Sequence, residues 1–274
     1  MKKVNNRIIK GVLCLVTLST MLIGQNNILT KGYAQDTYSE VAGESHTGSF
    51  SVDSLTLQPG ATTTSINLNW YAPAGTTVAK IQFGDQTYDV TAKPLTSPTE
   101  IKSDKYTDTG KLVCKTTISN LKPDTKYTYY ISNDGGTTWS KEYNYTTPSS
   151  NEFTFGFTSD PQIKENKEIN SEGWNPSDET NQTGWATMME TLEKQGVDLV
   201  VSAGDQVEDQ NWGKSSEYEA FFAPEEMASI PYAPAVGNHD SHYMFADHFN
   251  LPNQMESLTE VTTTFRGQNS GTSQ

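Results

Sequence analysis

Positive charge is scarce in this chain: 19 Lys and Arg face 33 Asp and Glu among 274 residues, a formal net charge of −14. So small a basic complement cannot neutralise a phosphate backbone over a large area, which excludes a nucleic-acid scaffold. Charged residues amount to only 19%, too few for a long coiled coil, while 10% aromatics argue against disorder. No Gly-x-Ser-x-Gly elbow occurs, so nothing points to a serine hydrolase. Cysteine is nearly missing, with only Cys14 and Cys114. Cys114, within Leu112-Val113-Cys114-Lys115-Thr116, is expected to be a buried small apolar residue.

Long apolar runs are lacking too. The longest, from Gly11 to Gly24, has fourteen residues where a spanning helix needs ~20, and Lys2, Lys3, Arg7 and Lys10 precede it. With the small-x-small triplet Gly32-Tyr33-Ala34 behind it, this reads as a secretory signal over residues 1–34, an uncleaved anchor being the alternative. Five of the basic residues and none of the acidic ones lie in that segment, so the remainder carries −19. The expected product is secreted or held at the cell surface, without a transmembrane segment. Cys114 is then alone, and stability must come from packing or bound metal.

What is present divides the rest in two. Residues 51–150 hold twenty Thr and no Met, whereas residues 201–250 hold no Thr, and the five Met beyond the signal all lie from Met188 onward. Thr and Tyr suit antiparallel sheets, and Ser65-Ile66-Asn67-Leu68-Asn69-Trp70 alternates with period two between the turn signals Gln58-Pro59-Gly60 and Ala72-Pro73-Ala74-Gly75. Leu121-Lys122-Pro123-Asp124-Thr125-Lys126-Tyr127 resembles the tyrosine corner of fibronectin type III sandwiches, in which a Leu plugs the core and the Tyr hydroxyl ties the corner. The expectation is a leader over 35–48 and an all-β, fibronectin type III-like sandwich over 49–148. It acts as spacer or packing partner, since fold alone does not imply function.

Beyond residue 150 strands and helices alternate. Phe153 to Thr158 reads as a strand, and Trp185, Met188, Met189 and Leu192 mark one helix face that stops near Gly196. Val197 to Val201 is a buried-type strand, Ser216 to Phe222 a helix capped by Ser215, and Tyr232 to Val236 a third strand. A βαβαβ order implies a parallel sheet, and each strand runs into a polar cluster at its carboxyl end, where open α/β sheets gather ligands.

Those clusters are Ser159-Asp160-Pro161-Gln162, Gly204-Asp205-Gln206-Val207-Glu208-Asp209 and Gly237-Asn238-His239-Asp240. They supply hard oxygen donors and one imidazole. Together they resemble the first three motifs of the calcineurin-like metallophosphoesterases, and with a sandwich in front, the purple-acid-phosphatase-like members. The resemblance implies that residues 152–274 are the N-terminal half of an α/β metallophosphoesterase domain, truncated before the family's later histidine motifs.

It also implies two divalent or trivalent metal ions (Fe, Zn or Mn), with Asp160 and Gln162 on the first, Asp205 shared and Asn238 on the second. His239 would serve the phosphate or the leaving oxygen, and Asp240 would orient its ring. The implied partner is a phosphorylated small molecule or other phosphoester, hydrolysed by metal-dependent, acid-phosphatase-like chemistry. Gln162 stands where many members have His, and Glu208 where the purple members have a metal-bound Tyr. His242 and His248 are expected on the surface or in packing, and His46 in solvent. The alternative class is a noncatalytic secreted or surface interaction protein whose sandwich binds a partner.

Overall fold

A computed structural model describes residues 14–17, 39–98, 106–149, 152–164, 178–208, 215–240 and 245–252. Ten strands come first: β1 Cys14–Thr17, β2 Ser39–Val41, β3 Asp53–Pro59, β4 Ile66–Pro73, β5 Ala79–Phe83, β6 Gln86–Val90, β7 Ala92–Pro98, β8 Tyr106–Ile118, β9 Thr125–Ser132 and β10 Tyr143–Thr146. Strands β3-β4-β8-β7 form one sheet, and β10-β9-β5-β6 the other, with β2 added in parallel to β9. The expected sandwich is therefore present. Ile66, Leu68 and Trp70 of β4 meet Ile81, Phe83, Tyr129 and Ile131 of the facing sheet in its core. Cys114 lies among them, fully buried, and burial pushes its thiol up to about 12.

The corner also forms as expected. Leu121 is buried, and the Lys122 N–H donates to the Tyr127 hydroxyl at 2.8 Å, closing a turn in which Asn120 and Asp124 take positive φ. Residues 39–48, within the stretch 35–48 expected to be a leader, contribute β2 and a half-buried His46. The ring of His46 stacks on Trp139 at 4.4 Å and its Nε2 lies 2.6 Å from Gln82 Oε1, so it is not a solvent-exposed side chain.

The second half contains β11 Thr154–Thr158, α1 Asp178–Lys194, β12 Leu199–Ser202, α2 Ser215–Phe221, a 3₁₀ turn at Glu225–Ala228, β13 Tyr232–Pro234 and α3 Phe245–His248. Strands β11, β12 and β13 are adjacent and parallel, as the βαβαβ reading requires, and β1 pairs antiparallel to the outer edge of β11. The rest of residues 1–34 lies outside the described residues, as do His242 and the stretch 165–177. Helix α1 buries Trp185, Met189 and Leu192 against the sheet. The other face of β11 leaves Phe157 exposed, as is Phe153 just before the strand. Ser215 begins α2 from inside and donates its hydroxyl to the Thr96 carbonyl, so it ties the helix to β7 instead of capping it. No helix among the described residues is long and apolar enough to cross a membrane.

Alternation in β4 acquires a second meaning here. Its apolar residues face the sandwich core, whereas Asn67, Asn69 and Tyr71 point the other way and are equally buried, against the second half. Asn69 donates to the His248 carbonyl at 3.0 Å, Asn67 to the Asn250 carbonyl at 2.8 Å, and the Tyr71 hydroxyl lies 2.5 Å from His248 Nδ1. Tyr218 stacks on the His248 ring at 3.8 Å. Lys111 bridges Asp53 of β3 and Glu219 of α2 at 2.7 and 2.9 Å. The sandwich is thus a packing partner with a polar, specific face.

His248 carries the pH consequence of this contact. It is fully buried, its Nε2 has no hydrogen-bond partner among the described residues, and burial, with Lys115 adding, pushes its imidazole down to about 3. The facing groups are Tyr71 on β4, Lys115 on β8, Tyr218 on α2 and Asp247 on α3. A folded value below the unfolded ~6.5 means that the unfolded chain binds the extra proton, so stability is lost as pH falls from ~6.5 toward ~3, by ~1.4 kcal/mol per pH unit at most. Urea unfolding of the full chain between pH 6.5 and 4 should show this slope, and His248→Gln should flatten it. An identical slope in the variant would assign the acid sensitivity to other groups.

Candidate metal centre

All three polar clusters sit where the parallel strands end, and backbone hydrogen bonds stitch them in strand order. After β11, Asp160 N–H donates to the Gly204 carbonyl at 3.1 Å, Gln162 N–H to Asp205 at 3.0 Å and Ile163 N–H to Gln206 at 3.0 Å. Ile163 and Val207 continue this as an isolated parallel bridge. The first two clusters therefore lie side by side, although more than forty positions separate them in sequence.

The second and third clusters are joined by two aspartates, each accepting from the other's loop. Asp240 is fully buried, and its carboxylate accepts from the N–H groups of Asp205 at 2.9 Å, Gln206 at 2.9 Å and Gly237 at 2.8 Å. In return Asp205 Oδ1 accepts from the His239 N–H at 2.8 Å. Burial pushes the Asp240 carboxyl up to about 6, with the charge of Asp205 adding, while the three N–H bonds oppose the shift. Beneath this pair, Gln206 is fully buried and its amide donates to Ser202 Oγ at 2.9 Å and to the Ala235 carbonyl at 3.2 Å.

The expectation that Asp240 orients the His239 ring is not met in this geometry. Both Asp240 oxygens are engaged by backbone N–H groups, and it is the Glu208 carbonyl that holds His239 Nδ1. Since a carbonyl only accepts, Nδ1 carries a proton and Nε2 is the ring atom left for substrate chemistry. Glu208 also pairs with Lys164 at 3.8 Å, on the loop after β11. Asp160 is exposed and accepts from its neighbour Ser159, Gln162 is half-buried, and Asn238 is exposed beside His239. The structure thus joins Asp160, Gln162, Asp205, His239 and Asp240 through adjoining loops, with Asn238 on the third.

Gly204 and Gly237 explain how the loops approach so closely. A Cβ on Gly204 would stand 2.8 Å from Gly237 Cα, and one on Gly237 would stand 2.1 Å from Asp205 Oδ1. Gly204 also has φ of +114°. Sequence reasoning singled out both turns but gave no role to Ser202, Gln206 and Tyr232 below them. The signal available was polar: Ser202 and Gln206 interrupt an otherwise apolar strand end, where a buried amide needs partners.

Two observations bear on whether these residues suit a metal ion. Two carboxylates and two amide oxygens form a donor set matched to a hard cation. Asp160, Gln162 and Asp205 also take positive φ, of 55°, 46° and 56°, a region that is uncommon for residues other than glycine and that clusters at functional sites. The residues present therefore fit a cation in chemistry. No group of three or more His, Cys, Asp or Glu converges on one point among the described residues.

Comparison with known proteins follows the same division. Residues 52–147 match the purple acid phosphatase N-terminal domain, and residues 153–269 match the calcineurin-like phosphoesterase domain. No curated protein matches the chain. Among solved structures, a purple acid phosphatase isolated from yellow lupin (Lupinus luteus) seeds is similar, with 18% identity and a TM-score of 0.55 over 74% of this chain. This chain spans 41% of the length of that one, and at such identity the likeness is one of fold.

The loop geometry predicts its own weak points. Asp240→Asn replaces an acceptor of three N–H groups by an amide that turns one NH₂ toward them, and should lower stability by ~1–3 kcal/mol. Gly237→Ala should cost a similar ~1–3 kcal/mol through overpacking. Equilibrium urea unfolding checks both, and a change below ~0.5 kcal/mol in either would contradict the tie described here.

Proposed function

We propose that this chain, a calcineurin-like metallophosphoesterase behind a purple acid phosphatase N-terminal domain, contributes a dinuclear metal centre that hydrolyses phosphomonoesters outside the cell. The observation that carries the reading is the convergence of three oxygen-rich loops at the ends of β11, β12 and β13, with three proposed ligands at positive φ. Asp160 and Gln162 would hold one cation, Asp205 both and Asn238 the other. When bound, such cations polarise phosphoryl oxygens and lower the pKa of water toward neutrality.

The chain's own residues have separate tasks. Asp205 is held by its backbone from below and its Oδ1 accepts from the His239 N–H, so its carboxylate is presented in one orientation. His239, with Nδ1 fixed on the Glu208 carbonyl, keeps Nε2 for the leaving oxygen of a phosphoester, which in its charged form it protonates as the ester bond breaks. Asp240 acts through the backbone and meets no substrate. The strongly acidic balance of the chain makes bound cations the natural attraction for an anionic substrate. Secretion follows from the signal-like residues 1–34 and is part of the same proposal.

Two substitutions test the division of labour. Asp205→Asn should abolish Mn²⁺ binding measured by calorimetry, together with p-nitrophenyl phosphate hydrolysis. His239→Ala should leave Mn²⁺ binding unchanged and lower turnover by ~10²- to 10⁴-fold, the usual contribution of a positioned acid. Wild-type metal binding by Asp205→Asn would sink the metal assignment, and equal loss of metal and turnover in His239→Ala would sink the acid.

A further inference from the structure

The buried polar face of the sandwich meets one short segment in particular, the one that follows the third loop. Asn250 makes four hydrogen bonds to it: its N–H donates to Gln58 Oε1 at 3.0 Å, its amide donates to the Leu68 and Thr116 carbonyls at 3.2 and 2.7 Å, and its carbonyl accepts from Asn67 at 2.8 Å. Lys115 donates to the Phe249 carbonyl at 2.9 Å and to that of Ala246. Asn69 and Tyr71 take His248. Three strands, β3, β4 and β8, thereby hold the carbonyls of residues 246, 248, 249 and 250 and the Asn250 N–H.

That segment is close to the metal loops by two routes. Along the chain, only residues 241–244 separate Asp240 from α3. Through space, Phe249 is fully buried and packs on Phe221, Phe222 and Tyr232, and Tyr232 belongs to β13, the strand that delivers Gly237. Side chains packed at crystal-like density transmit displacement instead of absorbing it.

We infer that Asn250 is a positioning residue for the third loop, and that the sandwich serves the site by fixing Asn250 against β4. Its target is the reciprocal tie between Asp205 and Asp240, whose geometry depends on where the third loop stands. The meaning of the tie for hydrolysis rests on the proposed function, but the coupling is a property of the loops and is measured without metal or substrate.

Hydrogen exchange of single amides in the full chain tests it. The N–H groups of Asp205, Gln206, Gly237 and His239 are held by the two carboxylates and report the tie. Asn250→Ala should speed their exchange at least about tenfold, while amides between β5 and β9 keep wild-type rates. Tyr71→Phe removes one hydroxyl and keeps its ring contact with Phe222, so it replaces Asn250→Ala in the test should that variant fail to fold, and should shift the same four amides by a smaller factor. Faster exchange at Phe249 with the four site amides unchanged would overturn the inference. Uniform acceleration across both halves would mark Asn250 as merely structural and overturn it as well. Failure of hydrolysis with the predicted exchange pattern would instead count against the phosphatase reading alone.

Discussion

A single buried carboxylate does most to give this chain a site. Asp240 gathers three N–H groups from two loops, and in doing so holds Asp205 in a left-handed backbone conformation that its side chain disfavours. Burying a charge is costly unless it is paired or hydrogen-bonded. Here the hydrogen bonds come from peptide N–H groups of the loops after β12 and β13, which need acceptors of their own. Two deficits cancel, and the product is a rigid edge of oxygen atoms.

The same reasoning explains why the sandwich is polar where it meets the second half. A wholly apolar face on β4 would attract any apolar surface, whereas Asn67, Asn69 and Tyr71 each need one specific partner once water is excluded. Mis-docked arrangements leave those amides unsatisfied, so the buried polar row selects one orientation between the halves. Tyr129, whose hydroxyl reaches the Ala228 carbonyl at 2.5 Å, and Lys141, paired with Glu225 at 2.6 Å, fix a second point of contact.

Much of this was legible in the residues. The corner around Leu121 and Tyr127 follows from local pattern, and the parallel β11-β12-β13 order, with a polar cluster at each strand end, follows from the alternation of strand and helix along the chain. What sequence could not supply was the partner across the gap. Alternation in β4 looks identical whether its polar side meets water or a second domain. An acid after a histidine looks equally suited to ring or backbone. His46 appeared solvent-bound because the stacking surface of Trp139 is more than ninety positions away.

Cys114 gives the sandwich a built-in clock. It is the one cysteine in residues 35–274, wholly enclosed, and its thiolate is suppressed by burial. A thiol reagent can reach it only when β4 and β8 part from the facing sheet, so the modification rate reads the opening equilibrium of that core. The sandwich therefore reports on its own integrity through ordinary thiol chemistry, with no label and no neighbouring disulfide to reshuffle.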